Sequence, residues 1–525
     1  MKSSVCKPLV LLVHLSLCAF LMSCGAGPYI PSAQISATSV AGTQNPLVAA
    51  YTMTTILQCA GQVRVEFGPD TSYGRTTAWY PVSGTVQTTT VLVAGMRPST
   101  TYHMRALTQC ADSTNPMASG DLTFASGPLP AIAFPTLAVA RPSPSTSSPE
   151  NPGIELVDIV NPGTPALFTD RDANPIWYYD VGPANFPFVF KLLPSGNILV
   201  NIAGPTDSLI REIDLSGKTI REMDTTTLGN KMQAAGFDFS PGNFHHDFLA
   251  LDNGHLIVLT NFVRNYDNLP GYPGTTGVIG DGIVDLDENW NPVWAWNGFD
   301  HLDVNRHLNG MPDWTHGNAL VYSANDGNLM FSMRHQSWII KIDYNNGAGS
   351  GNILWKLGYQ GDFSLTDNDV PTSDPSLWFS FQHFPSIVSQ SGSQTTLAIW
   401  DNGDFRPLDT LGNTCTFVPG SPQFCYSRGT IIQVDENSKI ANLLWADPLP
   451  YFGFWGGSIN QLANGNVEFD LNAPLLGPAP HVGSRIEELI PASPSQVVWQ
   501  MDALGVNAYR GYRVPSLYPG VNWQY

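Results

Sequence analysis

Hydrophobic and polar residues alternate over short stretches through most of this chain, which is the spacing of β-strands rather than of helices. The segments 62–68, 89–93 and 101–107 alternate in this way, and Arg-Pro-Ser at 97–99 supplies a turn between two of them. Turn-forming residues are frequent, with 48 Gly and 42 Pro in 525 residues. Short alternating runs separated by turns predict an all-β protein.

The first group of these strands lies between residues 24 and 127 and predicts a small β-sandwich domain. The order of the pairs Phe67-Gly68 and Tyr73-Gly74, the turn at 96–102 and the strand at 122–124 resembles fibronectin type III and immunoglobulin-like modules. Residues 128–152 are rich in Pro and Ser and predict a linker.

From residue 153 to residue 525 the chain repeats one pattern of strands. Each unit begins with a hairpin that has a small turn, continues with an Ile-x-x-Asp strand, and in most copies ends on a strand with Trp. The copies span residues 194–214, 252–296 and 326–355, two later copies end at Trp445 and Trp499, and residues 154–180 form a partial first copy. Periods of roughly 40 to 60 residues with four strands each predict a six-bladed β-propeller, and a stacked array of sandwiches is the alternative.

In a propeller the equivalent loops of all blades meet at one end of the central channel. Three histidines, His246, His316 and His383, stand just before the first hairpin strand of successive repeats, so we expect them to converge. Arg334 lies at the far end of the hairpin that follows His316, whose turn is Asn-Asp-Gly at 325–327. Imidazoles beside a fixed guanidinium suit a tetrahedral anion such as sulfate or phosphate, although a hairpin with polar residues at its mouth has the same pattern.

The region from about residue 150 to residue 525 resembles the bacterial arylsulfate sulfotransferase family. The resemblance rests on residues 313–318 (DWTHGN), 332–342 (SMRHQSWIIKI), 381–383 (FQH), 399–403 (IWDNG), 426–428 (YSR) and 509–519 (YRGYRVPSLYP). It implies a six-bladed propeller with a smaller β domain, and an enzyme that moves a sulfuryl group from an aryl sulfate to a phenol without a nucleotide cofactor.

The same resemblance implies roles for the converging residues. His383 matches the histidine that becomes sulfated, while His246, His316 and Arg334 match residues that bind the sulfuryl oxygens or handle the proton. We also assign Asn318, together with Arg334, to substrate binding. The expected reaction is a ping-pong exchange through a sulfohistidine, and which of His246 and His316 is the general acid is left open. No cofactor and no metal are expected.

The N-terminus predicts export. A positive N-terminal segment precedes the apolar run 9–20, and Leu-Met-Ser-Cys-Gly at 21–25 looks like a bacterial lipoprotein box. This predicts a signal peptide over residues 1–23 and lipidation of Cys24; an ordinary secretory signal is the alternative. We therefore expect a periplasmic or cell-surface lipoprotein that a lipid anchor holds to a membrane.

Four of the seven cysteines follow the predicted anchor. An even number in an oxidising compartment predicts two disulfides, and proximity along the chain favours the pairs Cys59–Cys110 and Cys415–Cys425. The formal net charge of −19 argues against nucleic acid as a partner. A homodimer is left open.

Two other functions fit parts of this pattern. A non-catalytic propeller lipoprotein would use the same surface as a binding or assembly scaffold, and a hydrolase would transfer the group to water. The sequence has no P-loop, no Cys/Ser-x-Pro-x-Arg motif of sulfatases and no His-Glu-x-x-His motif, so the enzyme classes with these motifs are not favoured.

Overall fold

The structure is a computed structural model that describes residues 33–111, 113–142, 149–205, 208–476 and 481–524. The predicted signal peptide (1–23) and Cys24 lie outside the described residues, so export and lipidation stay predictions. Almost all regular structure in the described residues is β-strand, and the all-β prediction is confirmed. None of the described helices is long and apolar enough to span a membrane.

The N-terminal region contains nine strands: β1 (Ala33–Gly42), β2 (Ala49–Leu57), β3 (Gly61–Gly68), β4 (Arg75–Thr76), β5 (Tyr80–Val82), β6 (Val86–Val93), β7 (Thr101–Cys110), β8 (Met117–Ala118) and β9 (Leu122–Ala125). One sheet has the order β1-β2-β6, and the second is built on β3 and β7. Every second residue of β2 is buried, as the alternation predicts, and residues of both sheets share one hydrophobic core. The Cys59–Cys110 disulfide joins this region and confirms the predicted pair.

The remaining strands follow in chain order: β10 (Thr136–Ala140), β11 (Ile154–Ile159), β12 (Ala166–Thr169), β13 (Pro175–Tyr179), β14 (Phe186–Leu192), β15 (Ile198–Ala203), β16 (Ser208–Ile213), β17 (Thr219–Asp224), β18 (Asn243–Ala250), β19 (Leu256–Leu269), β20 (Tyr272–Leu286), β21 (Pro292–Asn297), β22 (Gly317–Ser323), β23 (Asn328–Met333), β24 (Trp338–Ile342), β25 (Ile353–Leu357), β26 (Ser364–Asp367), β27 (Val370–Pro371), β28 (His383–Ser391), β29 (Gln394–Asp401), β30 (Arg428–Asp435), β31 (Ile440–Pro448), β32 (Phe452–Gly453), β33 (Ser458–Gln461), β34 (Val467–Asn472), β35 (Pro474–Leu476), β36 (Val482–Ile490), β37 (Gln496–Leu504) and β38 (Ala508–Val514).

Most of these strands form six larger sheets, which we number in chain order. Sheet 1 has the order β13-β12-β11-β38, sheet 2 is β14 to β17, sheet 3 is β18 to β21, and sheet 4 is β22 to β25. Sheet 5 is β28 to β31 with β26 and β27 added at its edge, and sheet 6 is β33, β34, β36 and β37 with β10 at its edge. Among its described residues, the region that the sequence predicts as a linker therefore contains one strand, β10, which pairs with β37.

The first strands of successive sheets contact one another. The pairs in contact are β14 with β18, β18 with β22, β22 with β28, and β28 with β33. The last strand, β38, pairs with β11 in sheet 1 and also contacts β33 and β14. His316 directly precedes β22 and His383 begins β28, as the sequence predicts, whereas His246 is the fourth residue of β18 rather than a residue before it.

One α-helix, α1 (Thr225–Ala235), connects sheets 2 and 3, and short 3-10 helices lie at Gly298–Asp300, Arg334–Gln336, Asn345–Gly347 and Pro375–Leu377. The carboxylate of Asp224 accepts a hydrogen bond from the Thr227 N–H at 2.6 Å and begins α1. Gly236 ends it with a φ of 87°, a left-handed conformation that favours glycine.

The chain after β38 attaches the N-terminal region to the six sheets. The Trp523 indole packs edge-on against Phe67 at 5.8 Å, and its N–H donates to the Thr76 carbonyl at 2.9 Å. The Tyr518 hydroxyl donates to the Leu92 carbonyl at 2.9 Å. The N-terminal sheets are therefore fixed against the sheets that hold the histidines.

Candidate functional site

Irregular backbone at the start of the inner strands positions the three histidines. His246 lies in a bulge of β18 between Phe244 and Phe248, with a φ of 54°. His316 directly precedes β22 and has a φ of 50°. Positive φ is uncommon in residues other than glycine, and its cost is often found at functional sites. His383 is the first residue of β28.

Hydrogen bonds fix the tautomer of His383. The Asn402 amide nitrogen donates to the carbonyls of Gly453 (2.7 Å) and Gly456 (3.0 Å), so the Asn402 oxygen faces His383. His383 Nδ1 therefore donates to this oxygen at 2.7 Å, and Nε2 has the lone pair. Nε2 accepts a longer hydrogen bond, 3.2 Å, from the Gly456 N–H.

His383 is held in its neutral form. Its exposed fraction is 1%, and burial lowers its pKa well below the ordinary value. The positive charge of Arg334 lowers the pKa further. A neutral imidazole whose Nε2 lone pair accepts a long hydrogen bond from the Gly456 N–H becomes a nucleophile at neutral pH once that bond is released.

Arg334 is fixed by acceptors on three sides. One terminal nitrogen donates to Asp404 Oδ2 at 2.7 Å and to the Phe454 carbonyl at 2.6 Å, and the other donates to His335 Nε2 at 2.6 Å. Its Nε is buried and has no hydrogen-bond partner among the described residues. Burial raises the pKa of Asp404 to about 7, although the charge of Arg334 opposes this. Arg334 is thus a positioned cation with a donor still available for an anion.

His316 and His246 touch, and they have different partners. Their ring centroids are 4.7 Å apart. His316 Nδ1 donates to Asp313 Oδ2 at 2.6 Å, so a carboxylate holds this proton and orients the ring. His246 Nδ1 lies 2.8 Å from Nδ1 of His245 and has no carboxylate within ion-pair distance among the described residues. Burial and the neighbouring histidines lower the pKa of His246 well below the ordinary value.

Asn318 lies behind the segment that holds His383. Its side chain is fully buried, and its amide nitrogen donates to the Gln382 carbonyl at 2.7 Å. Its own carbonyl accepts from Arg510. The side-chain oxygen is buried and has no hydrogen-bond partner in the described part of the chain. Asn318 supports the residue before His383, and contact with a substrate stays a prediction.

Sequence reasoning did not single out several residues at this site. The Tyr509 ring lies 5.5 Å from that of His246 and 6.0 Å from that of His383, and its buried hydroxyl has no partner among the described residues. Arg510 forms a buried ion pair with Asp247 at 3.1 Å. Both Tyr509 and Arg510 come from β38, far from the histidines in sequence, and no periodic pattern connects them to the repeats.

Asp313, His316 and His335 place three candidate metal-ligand atoms within 4.8 Å of one another. Hydrogen bonds already use these atoms. His335 Nδ1 donates to the Asp313 carbonyl at 2.8 Å, because its Nε2 accepts from Arg334, and His316 Nδ1 donates to the Asp313 carboxylate. The arrangement therefore orients the protons of two imidazoles, and nothing else in the cluster favours a cation.

The second disulfide lies close to this site. Cys415 and Cys425 are bonded, which confirms the predicted pair. They close a loop between Asp404, the partner of Arg334, and Ser427, whose hydroxyl donates to the Asn402 carbonyl at 2.8 Å. The segment from Asp404 to Ser427, which contains this disulfide, therefore begins and ends on groups that hold the site.

Comparisons with known proteins agree on one family. Residues 151–473 match the family described as arylsulfotransferase (ASST). The chain is 24% identical over 210 residues to the arylsulfate sulfotransferase AssT of Escherichia coli O6:H1 (strain CFT073), a match that covers 34% of this chain and 32% of that protein. It is 25% identical over 146 residues to AssT of Lelliottia amnigena, covering 25% and 22%. The matches thus span about a third or less of these relatives' length.

A solved structure also matches in part. The dihydro-heme d1 dehydrogenase NirN in complex with DHE covers 72% of this chain and 80% of its own, at 12% identity and a TM-score of 0.30. A likeness of this size carries no conclusion about fold or function.

Proposed function

This chain belongs to the arylsulfotransferase family, and on that premise we propose that it transfers a sulfuryl group from an aryl sulfate to a phenolic acceptor through a sulfated His383. One observation supports this most. The buried, neutral ring of His383 has Nδ1 held by Asn402 and its lone pair on Nε2, in a cluster with Arg334 and two more histidines.

The proposed architecture is a six-bladed propeller over residues 153–525, preceded by a fibronectin III-like sandwich over 24–127 and a linker over 128–152. The contacts between first strands of successive sheets, and the pairing of β38 with β11, support the propeller. The core shared by the two N-terminal sheets supports the sandwich. A lipid anchor at Cys24 and a periplasmic or cell-surface location belong to the same proposal.

In the first half-reaction the lone pair of His383 Nε2 forms a bond to sulfur, and the aryl oxygen leaves with the electron pair of its S–O bond. The imidazole becomes positive as this bond forms, and its Nδ1–H donates more strongly to Asn402. The Gly456 N–H, released from Nε2, becomes a donor for a sulfuryl oxygen. Arg334 offers its Nε–H to the same anionic group.

We assign the proton to His316. Its Nδ1–H is held by Asp313. In the doubly protonated form of the ring, Nε2–H gives its proton to the departing phenolate, and the neutral ring that results accepts the proton of the incoming phenol at Nε2 in the reverse step. His246, which lacks a carboxylate partner among the described residues, acts as a neutral hydrogen-bonding group. The rings of Phe188 and Tyr509, which contact His246 at 4.8 and 5.5 Å, offer an apolar wall to the aryl group.

Intact-mass spectrometry tests this function. Mixing the protein with 4-nitrophenyl sulfate should add the mass of one SO3 group, and adding phenol should remove it and yield phenyl sulfate. The variant His383→Asn should gain no mass, whereas the control His103→Asn, a change in the N-terminal sheets, should label as wild type does.

Other results would exclude the proposal. Release of free sulfate without any need for phenol would make the protein a hydrolase. The absence of both labelling and 4-nitrophenol release, from protein that unfolds cooperatively, would favour the scaffold. Labelling of His383→Asn would exclude His383 as the nucleophile.

A further inference from the structure

A cavity of about 220 Å3 lies beside the candidate site and is lined by loop residues that include Arg306, Phe381, Phe405 and Thr414. Aromatic rings form much of its wall, including Tyr359, Phe379, Phe381 and Phe405. An apolar cavity of about 150 Å3 holds one benzene molecule, and cavities for drug-sized ligands begin near 300 Å3. The size therefore suits one aromatic ring with one substituent.

Arg306 is the only charged residue among the described residues that line this cavity. Its guanidinium stacks on the Trp338 ring at 3.6 Å, and one terminal nitrogen donates to the backbone and side-chain oxygens of Gln336, both at 2.7 Å. It makes no ion pair with a carboxylate in the described part of the chain, and its other nitrogens have no protein acceptor there. Burial lowers the pKa of Arg306 to about 10.

Arg306 differs in this from Arg221 and Arg264, two arginines that also lie over rings. Arg221 lies 4.4 Å from the Trp290 ring and is paired with Glu212 at 2.7 Å, and Arg264 lies 5.0 Å from the Phe299 ring and is paired with Asp300 at 3.0 Å. A partly desolvated cation without a counter-charge is costly unless an anion reaches it. The donors that Arg306 leaves free therefore point to an anionic ligand.

The cavity and the histidine cluster share one wall. The Phe381 ring lines the cavity and also lies 5.2 Å from the Arg334 guanidinium. Phe381 is two residues before His383, and its φ of 52° fixes this position at some cost. The Phe405 ring packs against Phe381 at 5.4 Å, and 41% of this residue is exposed. Phe405 directly follows Asp404, which forms the ion pair with Arg334. A ligand here would be next to the site but separated from His383 by a ring.

We propose that this cavity is a second binding site for an aromatic ring with an anionic substituent, in which the ring lies against Phe381 and Phe405 and Arg306 binds the anion. The choice of an aryl sulfate as its natural ligand rests on the proposed function. The binding of an aromatic anion does not rest on the proposed function, because it requires only the cavity and the unpaired guanidinium of Arg306.

Fluorine NMR with 4-fluorobenzenesulfonate tests the site, because the carbon–sulfur bond of this anion prevents transfer. The full chain should show a bound signal that His383→Asn retains and Arg306→Gln weakens roughly ten- to hundredfold. Phe405→Ala, a change at a partly exposed side chain, should weaken the same signal by up to about tenfold. The control Arg221→Gln should leave the affinity unchanged.

Three results would overturn the proposal. One is wild-type affinity in both Arg306→Gln and Phe405→Ala. The second is that neutral 4-fluorobenzyl alcohol binds as tightly as 4-fluorobenzenesulfonate and loses the same affinity in Arg306→Gln. The negative charge of the ligand would then be irrelevant. The third is equal competition by inorganic sulfate alone, since the ring would then be irrelevant. Failure of the sulfohistidine experiment would leave this measurement unaffected, so the two proposals fail separately.

Discussion

His316 and His246 are in ring contact, yet only His316 has a carboxylate as its hydrogen-bond partner among the described residues. The two were equivalent in the sequence, because both precede a hairpin in the same position of the repeat. The difference arises from Asp313, three residues before His316, which a periodic pattern does not mark. A residue's protonation depends on neighbours that the strand spacing does not predict, and this is why the general acid could not be assigned from sequence.

Asp313→Asn should lower kcat, because an amide holds the Nδ1–H of His316 less firmly than the carboxylate does. General acid catalysis contributes about 10² to 10⁴ in rate. The loss should be large for aryl sulfates whose phenol is a weak acid and small for 4-nitrophenyl sulfate, whose phenolate needs little help in leaving. Steady-state rates over a series of substituted phenyl sulfates would show this as a steeper dependence on leaving-group pKa.

A purely structural role for Asp313 would give a different result. All substrates would then lose rate by the same factor, and the dependence on the leaving group would match that of the wild type. The variant Asp267→Asn is a suitable control, because Asp267 is an exposed carboxylate that accepts a hydrogen bond from Thr275.

At the scale of elements, the turn before β33 connects sheet 6 to the site. Gly456 and Gly457 both have positive φ, 67° and 96°, and Gly456 directs its N–H at His383. A Cβ at Gly457 would lie 2.3 Å from the Trp400 indole nitrogen and 2.6 Å from the Asp470 carbonyl oxygen. The contact of Gly456 with His383 depends on how two sheets meet, which no pattern within this segment predicts.

Gly457→Ala should therefore reduce both stability and turnover. The left-handed backbone costs about 1 to 2 kcal/mol with a Cβ, and overpacking adds about 1 to 3 kcal/mol. The expected loss of unfolding free energy is about 3 kcal/mol, measured by denaturant unfolding. The turnover falls because the donor at Gly456 moves away from Nε2.

Gly465→Ala is the matched control for this change. Gly465 also has a positive φ, 87°, but no atom lies within 4 Å of its added Cβ. Gly465→Ala should lose only the part of the unfolding free energy that comes from the left-handed backbone, about 1 to 2 kcal/mol, and should keep wild-type turnover. Equal effects of the two substitutions would contradict the role of the Gly456–Gly457 turn.

Strand repeats, turns and disulfides followed from the sequence because they depend on neighbours along the chain. The alternation of β2 and the Asn-Asp-Gly turn before β23 are local patterns, and both disulfides join cysteines within one segment. The strand β10 was not predicted, because Pro and Ser surround it and its partner β37 is distant in sequence. Helix α1 was not predicted either, since a single short helix gives a weak signal among many strands.

At the scale of the whole molecule, two classes of buried groups affect stability in opposite directions with pH. Burial lowers the pKa of His335 to about 3, so the folded state stays neutral while the unfolded chain binds a proton near pH 6.5. Its contribution to stability is present above pH 6.5 and is lost as the pH falls toward 3. Burial raises the pKa of Glu487 and of Asp404 to about 7, so these carboxyls favour the folded state more as the pH falls below 7.

His335→Gln should remove the loss of stability at low pH that comes from the lowered pKa of His335. Between pH 7 and pH 5 the wild type should lose about 2 kcal/mol of unfolding free energy relative to this variant. Urea unfolding at both pH values gives the difference directly. Glu487→Gln should show the opposite sign, and a pH-independent gap between His335→Gln and the wild type would contradict the lowered pKa.

The pairing of β11 with β38 also sets an order of events during biosynthesis. Ile154 pairs with Val514, so one edge of sheet 1 emerges from the ribosome long before the strand that covers it. An uncovered edge offers free N–H and C=O groups to any other extended chain. The interval between these strands is therefore the period in which the nascent polypeptide is most exposed to aggregation, and closure must wait for a contact of very long sequence separation. A shielding chaperone would matter most during that interval.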